Sequence, residues 1–129
     1  MAVSIAVAVR NAELAAYGAN FNGGSLVIYS GAAPSSADVA LAGDGILATL
    51  PFPNPAFQAP VAGVMNANPI AQENTTGTGV ASFYRALAAD GLTVIEQGVC
   101  GVGTGDLQLN RLDLVANGPA DVNQFQKSM

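Results

Sequence analysis

The side chains that could carry chemistry are few. The chain holds nine Asp and Glu residues, four Lys and Arg residues, one Cys and no His. Without His, a Ser-His-Asp or Cys-His arrangement has no base to activate the nucleophile. One Cys and no His also exclude a conventional zinc or iron–sulfur site. Asp38, Asp44, Asp90, Asp106 and Asp121 could be imagined as calcium ligands, yet none follows the alternating acidic loop spacing with its central Gly. Asp44-Gly45 and Asp90-Gly91 read instead as turn dipeptides, and Asp106 follows a glycine turn. A carboxylate pair for glycoside hydrolysis needs a defined separation, which spacing along the chain does not set.

Gly101-Val102-Gly103-Thr104-Gly105 resembles a phosphate loop only in its glycines. It lacks the Lys-Ser/Thr that grips phosphate and Mg²⁺, and a strand pattern rather than a helix follows, so turn glycine is the better reading. Asn74-Thr75-Thr76 fits a glycosylation sequon but reads as loop composition. Pro51-Phe52-Pro53-Asn54-Pro55 lacks the PxxP register and a flanking cation, which favours a rigid extended segment over an SH3-type ligand. Phe83-Tyr84-Arg85 offers two readings: core packing of an aromatic, or an Arg/Tyr contact on a partner. Cys100 reads as a small buried hydrophobe. No catalytic, cofactor-binding or metal-binding set emerges, and no cofactor is expected.

Charge is scarce. Charged residues make up 10% of the 129 residues, the net charge is −5, and half the chain is hydrophobic. Ordinary soluble domains carry about 25% charged residues. Four scattered cations provide no basic footprint for nucleic acid. No stretch approaches the ~20 apolar residues that span a bilayer, so no membrane partner is expected. Met1 to Val9 is apolar without a basic leader, and no secretory signal is expected. One domain suits the length.

These residues must be held by elements that the pattern suggests. Val7, Leu14 and Phe21 recur every seventh position in an Ala-rich, Pro-free stretch ended by Asn22-Gly23-Gly24. This predicts a helix over 8–20 preceded by an extended arm, 1–7. The remainder, 24–126, reads as a β-rich body. Ser25–Tyr29, Ile46–Leu50 and Val80–Leu87 are strand candidates. Asp90-Gly91 is a hairpin signal leading to Leu92–Ile95, with continuation through Val99 and Cys100 past a bulge at Gly98. Leu107–Leu114 alternates with a parity change that a bulge near Asn110 would reconcile, and Val122–Gln126 is a last strand. Pro51, Pro53 and Pro55 forbid a central strand position and indicate a sheet edge or an extended PPII-like run. Gly43-Asp44-Gly45 and residues 66–79 read as loops. The expected fold is mainly β, an antiparallel β-sandwich or jelly-roll-like barrel with one N-terminal helix.

An ordered set of these segments resembles a family of small virion structural proteins of tailed bacteriophages. It runs from Gly24-Ser25-Leu26-Val27-Ile28-Tyr29-Ser30-Gly31 through Pro34, Ala37-Asp38, Leu47-Ala48-Thr49-Leu50 and Pro55-Ala56-Phe57. It continues with Gly79-Val80-Ala81-Ser82-Phe83-Tyr84-Arg85, Asp90-Gly91-Leu92-Thr93-Val94, Gly98-Val99 and Asp106-Leu107-Gln108-Leu109-Asn110. The resemblance covers about residues 23–116, and its motifs specify turns and strands more than a role. It implies a β-rich domain with no enzymatic activity, present in many copies in a particle shell. Within a virion, small size, low charge and an apolar N-terminal arm fit a capsid decoration or cement protein. Such a protein is made in the host cytoplasm, resides on the capsid surface, and binds the major capsid protein as a homo-oligomer, a dimer or trimer. A tail, neck or fibre module that binds another tail protein or a host glycan is the alternative; a carboxylate-based hydrolase ranks last. The interface candidates are Val3, Ile5, Val7 and Val9 in the arm, and Tyr29, Phe52, Phe57, Tyr84 and Arg85 in the body.

Overall fold

A computed structural model describes residues 4–41 and 45–128. Val3, with Met1 and Ala2, and the Gly43-Asp44 part of the expected loop lie outside the described residues. The helix α1 spans Val7–Ala19, one residue earlier than the pattern predicts. Val7, expected at the end of the extended arm, therefore joins Val9 in its first turn. Its start is weakly held: Ala6 at the N-cap makes no side-chain hydrogen bond, and the first turn carries no acid, so neither capping nor the helix dipole supports it. At the far end the Asn20 amide donates to the Tyr17 carbonyl at 3.1 Å.

Among the described residues eleven strands follow: β1 (Ser25–Tyr29), β2 (Ile46–Pro51), β3 (Val64–Asn66), β4 (Glu73–Asn74), β5 (Gly79–Val80), β6 (Phe83–Leu87), β7 (Val94–Gly101), β8 (Leu107–Leu109), β9 (Asp113–Leu114), β10 (Pro119–Ala120) and β11 (Val122–Ser128). The protein is mainly β with one helix. Its seven-stranded sheet, ordered β2-β1-β6-β7-β8-β11-β3, curls into a half-barrel, and two short ladders, β10–β4 and β5–β9, stand beside it.

The sheet is not wholly antiparallel as expected: β7 and β8 run parallel, pairing Cys100 with Leu107 and Gly101 with Gln108. A parallel pair ordinarily needs a connection of a dozen residues or more. Here residues 102–106 suffice, because Gly103 (φ 71°) and Gly105 (φ 89°) adopt left-handed conformations that reverse the chain within so short a span. Other expectations are corrected in detail. Val80–Leu87 is two strands, since β5 pairs with β9 and β6 with β1 and β7. Leu107–Leu114 likewise breaks at 110–112, so the parity change comes from a change of ladder rather than a bulge. Gly98 sits in regular register opposite Tyr84, and the register shift falls at Ala86/Leu87. β3 and β4 arise from stretches with no strand pattern.

Both faces of β1 and β6 are covered. On the inner face Leu26, Ile28, Tyr84 and Ala86 join Leu14 and Phe21 in the main core. Phe21 is its centre, 5.0 Å from the Phe57 ring, 5.4 Å from Phe52 and 6.1 Å from Phe125. On the outer face Val27, Tyr29 and Phe83 form a second cluster, with Tyr29 stacked on Phe83 at 5.0 Å. The loop that follows β1 is pinned to this face by polar bonds. The Arg85 Nη2 donates to the carbonyls of Ser36 and Val39, and the Gln97 amide donates to the Pro34 carbonyl at 2.8 Å.

Candidate functional site

The mismatch in strand length creates the most distinctive site. β8 has three residues and lies between β7, which has eight, and β11, which has seven. It pairs with β7 only at Cys100 and Gly101, and with β11 only through Val122–Phe125. Where β8 stops, no ladder joins β7 to β11, which leaves a notch between Val94–Val99 and Gln126–Ser128. Helix α1 lies over it. The cleft so formed measures about 640 Å³ and is lined by Glu13, Leu14, Ala16 and Tyr17 from the helix and by Glu96, Lys127 and Ser128 from the two strands.

Four polar side chains tie the notch together. Glu96 of β7 accepts a hydrogen bond from the Tyr17 hydroxyl of α1 at 2.5 Å, a second from the Tyr84 hydroxyl of β6, and a third from Lys127 Nζ of β11. Lys127 also donates to the Tyr84 hydroxyl at 3.2 Å and lies 4.4 Å from the centre of the Phe125 ring. The Glu96–Lys127 ion pair is largely shielded from water, at 14% and 15% exposure. Such a pair has to recover its desolvation cost through further hydrogen bonds, which the two phenols provide. Burial, followed by the charge and hydrogen bond of Glu96, pushes both phenols well above their ordinary pKa. They are held as proton donors to a carboxylate, and neither is poised as a base. The arrangement orients four elements around one carboxylate and leaves an open, mixed polar and apolar cleft beside it.

Of the sequence-predicted interface residues, Ile5, Val7 and Val9 are exposed at 46%, 44% and 51%. Tyr29, Phe52, Phe57, Tyr84 and Arg85 are all buried within the subunit. Their expected place at a partner surface is corrected: covering both faces of β1 and β6 buries Tyr29, Tyr84 and Arg85, while Phe52 and Phe57 pack against Phe21 in the core. Arg85 is the least expected of these, because a buried guanidinium ordinarily faces a carboxylate; here Gln97 Oε1 accepts from its Nε at 3.0 Å and two backbone carbonyls accept from Nη2. Glu96, Lys127 and Tyr17 escaped sequence reasoning. They come from three elements far apart in the chain, and the one available signal is that Lys127 is the only lysine.

The remaining motifs resolve structurally. Cys100 is buried, and burial, with the Asp106 carboxylate second, pushes its thiol up to about 12. Thr75 of the sequon is buried, and its hydroxyl donates to the carbonyls of Val115 and Gly118. Asp90 closes its turn by accepting from the Thr93 hydroxyl at 2.5 Å and from the Thr93 and Leu92 N–H groups, which lower its pKa. Among the described residues no three Asp, Glu or Cys side chains gather as a metal site, and no helix is long and apolar enough to cross a membrane. Compared with known proteins, the chain matches no family model, no curated protein and no solved structure.

Proposed function

We propose that this protein is a structural component of a tailed-phage virion, a decoration or cement subunit. In this reading it acts as a homo-oligomer, a dimer or trimer, and binds the outer surface built by the major capsid protein through protein contacts, without catalysis. The observation that carries the reading is the apolar N-terminal segment. Ile5, Val7 and Val9 are each exposed by 44% or more in a chain with only 10% charged residues, and apolar side chains exposed close together in the chain are a surface that partners cover. The sequence resemblance supplies the particle; the exposed segment supplies a means of attachment.

Quantitative mass spectrometry of purified particles tests it. A decoration subunit is expected at a copy number comparable with the major capsid protein, with label over the whole head. A count far lower, with label confined to the tail, overturns it in favour of a tail, neck or fibre module.

A further inference from the structure

The geometry points to the notch between β7 and β11 as an acceptor for one β-strand, supplied by residues 2–8 of a second copy of this chain. The inference rests on the proposed self-association but not on the virion role.

A free sheet edge is a template for another chain, and proteins usually guard theirs. The two outer edges here are guarded. On β2, the Leu47 carbonyl already accepts from the Thr76 and Gly77 N–H groups, and Pro51 has no N–H to offer. On β3, residues 57–61 fold back, with the Gln58 N–H donating to the Asn66 carbonyl at 2.8 Å and Val61 bridged to Val64. The notch is different. Beyond β8, β7 has a strand partner only on its β6 side, and Gln126–Ser128 of β11 has one only on its β3 side. The Val99 N–H and carbonyl face the notch, where both pair with Asp106 at 3.0 Å. By strand alternation the Gln97 N–H and carbonyl face the same side, and β8 does not reach them. Asp106 thus marks the end of the occupied edge and the beginning of an open one.

The occupant is written in the N-terminal sequence. Ala2-Val3-Ser4-Ile5-Ala6-Val7-Ala8-Val9 places a β-branched residue at every second position and a small one between, the period of a strand rather than of a helix. Seven residues in extended form span about 23 Å, enough to cover Val94–Val99. One face of that strand is small, which suits a slot crossed by the Glu96–Lys127 pair. The first turn of α1 is uncapped, so releasing Val7 and Val9 from it costs little. The chain does not fill its own notch: Ser4, Ile5 and Ala6 are exposed and belong to no ladder, and Val7 begins the helix. The notch is therefore left for the same segment of a neighbour.

The test uses the full chain, an Ile5→Pro variant, and independently a chain lacking residues 2–6. Proline removes a ladder donor from the arm at an exposed position outside the helix, so the subunit fold is retained. Molar mass by light scattering and amide hydrogen exchange are measured on each. The expected result is a concentration-dependent oligomer for the full chain, a monomer for both variants, and protection within Val94–Val99, at the notch-facing Gln97 amide, lost in the variants. A monomeric full chain, an oligomer that survives both changes, or equal exchange of Val94–Val99 in all three overturns the proposal. So does protection of those amides in a monomer, which would mean that the arm occupies its own notch. A monomer found at high copy number in particles fails this inference alone, and an arm-exchanged oligomer absent from particles fails the virion reading alone.

Discussion

Gly98 faces Tyr84 across the β6–β7 ladder, and the space there is decisive. A Cβ at this position would lie 2.6 Å from the Tyr84 ring and 2.7 Å from its hydroxyl, on a side chain fixed by Glu96 and Lys127. Gly98→Ala is expected to destabilise the fold by about 2 kcal/mol, read from urea unfolding, and Tyr84→Phe in the same background to recover part of the loss by removing the clashing hydroxyl. The same cluster sets the response to alkali. Cys100, Tyr17 and Tyr84 all have pKa values raised on folding, so the unfolded chain releases these protons first. For Cys100, with an ordinary value of 9.0 and a folded value of about 12, the stability is whole below pH 9 and is lost as pH rises toward 12. The phenols extend the same trend from 10.0 upward. Melting temperature is expected to fall steadily above pH 9, and the slope to flatten in Tyr84→Phe; a flat profile would contradict the burial of these three groups.

At the level of elements, one short connection and one long one shape the sheet. The 102–106 turn makes β8 parallel to β7 and also ends it early, and the notch is the result. The loop after β1 does the reverse, closing a surface instead of opening one. It crosses the outer face of β1 and β6, and Arg85 and Gln97 hold it there. Arg85→Met keeps the apolar stem but abandons the Ser36 and Val39 carbonyls, at a cost of about 2 kcal/mol. Hydrogen exchange is expected to rise in residues 34–39 and in β1, with β11 unchanged. Equal loosening of β11 would show that Arg85 supports the whole sheet rather than this cover.

Taken whole, the molecule carries little charge, 10% of its residues. The ion pair at Glu96–Lys127 lies largely out of water, where salt screens it weakly. Melting temperature is therefore expected to change little between low and high sodium chloride; a steep fall would implicate exposed charge pairs. The chain exposes 6828 Å², somewhat more than the ~6,300 Å² of a compact protein of this mass. The excess fits a subunit with half-exposed apolar side chains at Ile5, Val7 and Val9 and a notch open beside its helix.

The helix, the strands at Ser25–Tyr29 and Ile46–Pro51, the hairpin at Asp90-Gly91 and the edge position of the prolines were legible in the sequence. Each is written in local terms: heptad spacing, β-branched runs, turn dipeptides and a missing N–H. The absence of His and the shortage of charge likewise excluded whole classes of chemistry before any coordinate was known. The burial of Tyr29, Phe52, Phe57, Tyr84 and Arg85 was not legible, because a strand pattern does not say whether one face or both will be covered. Neither was the meeting of Tyr17, Tyr84, Glu96 and Lys127. Their proximity depends on strand order, and strand order follows from how far β8 extends before the chain leaves the sheet, a choice made by packing between segments distant in sequence and written in no single one of them.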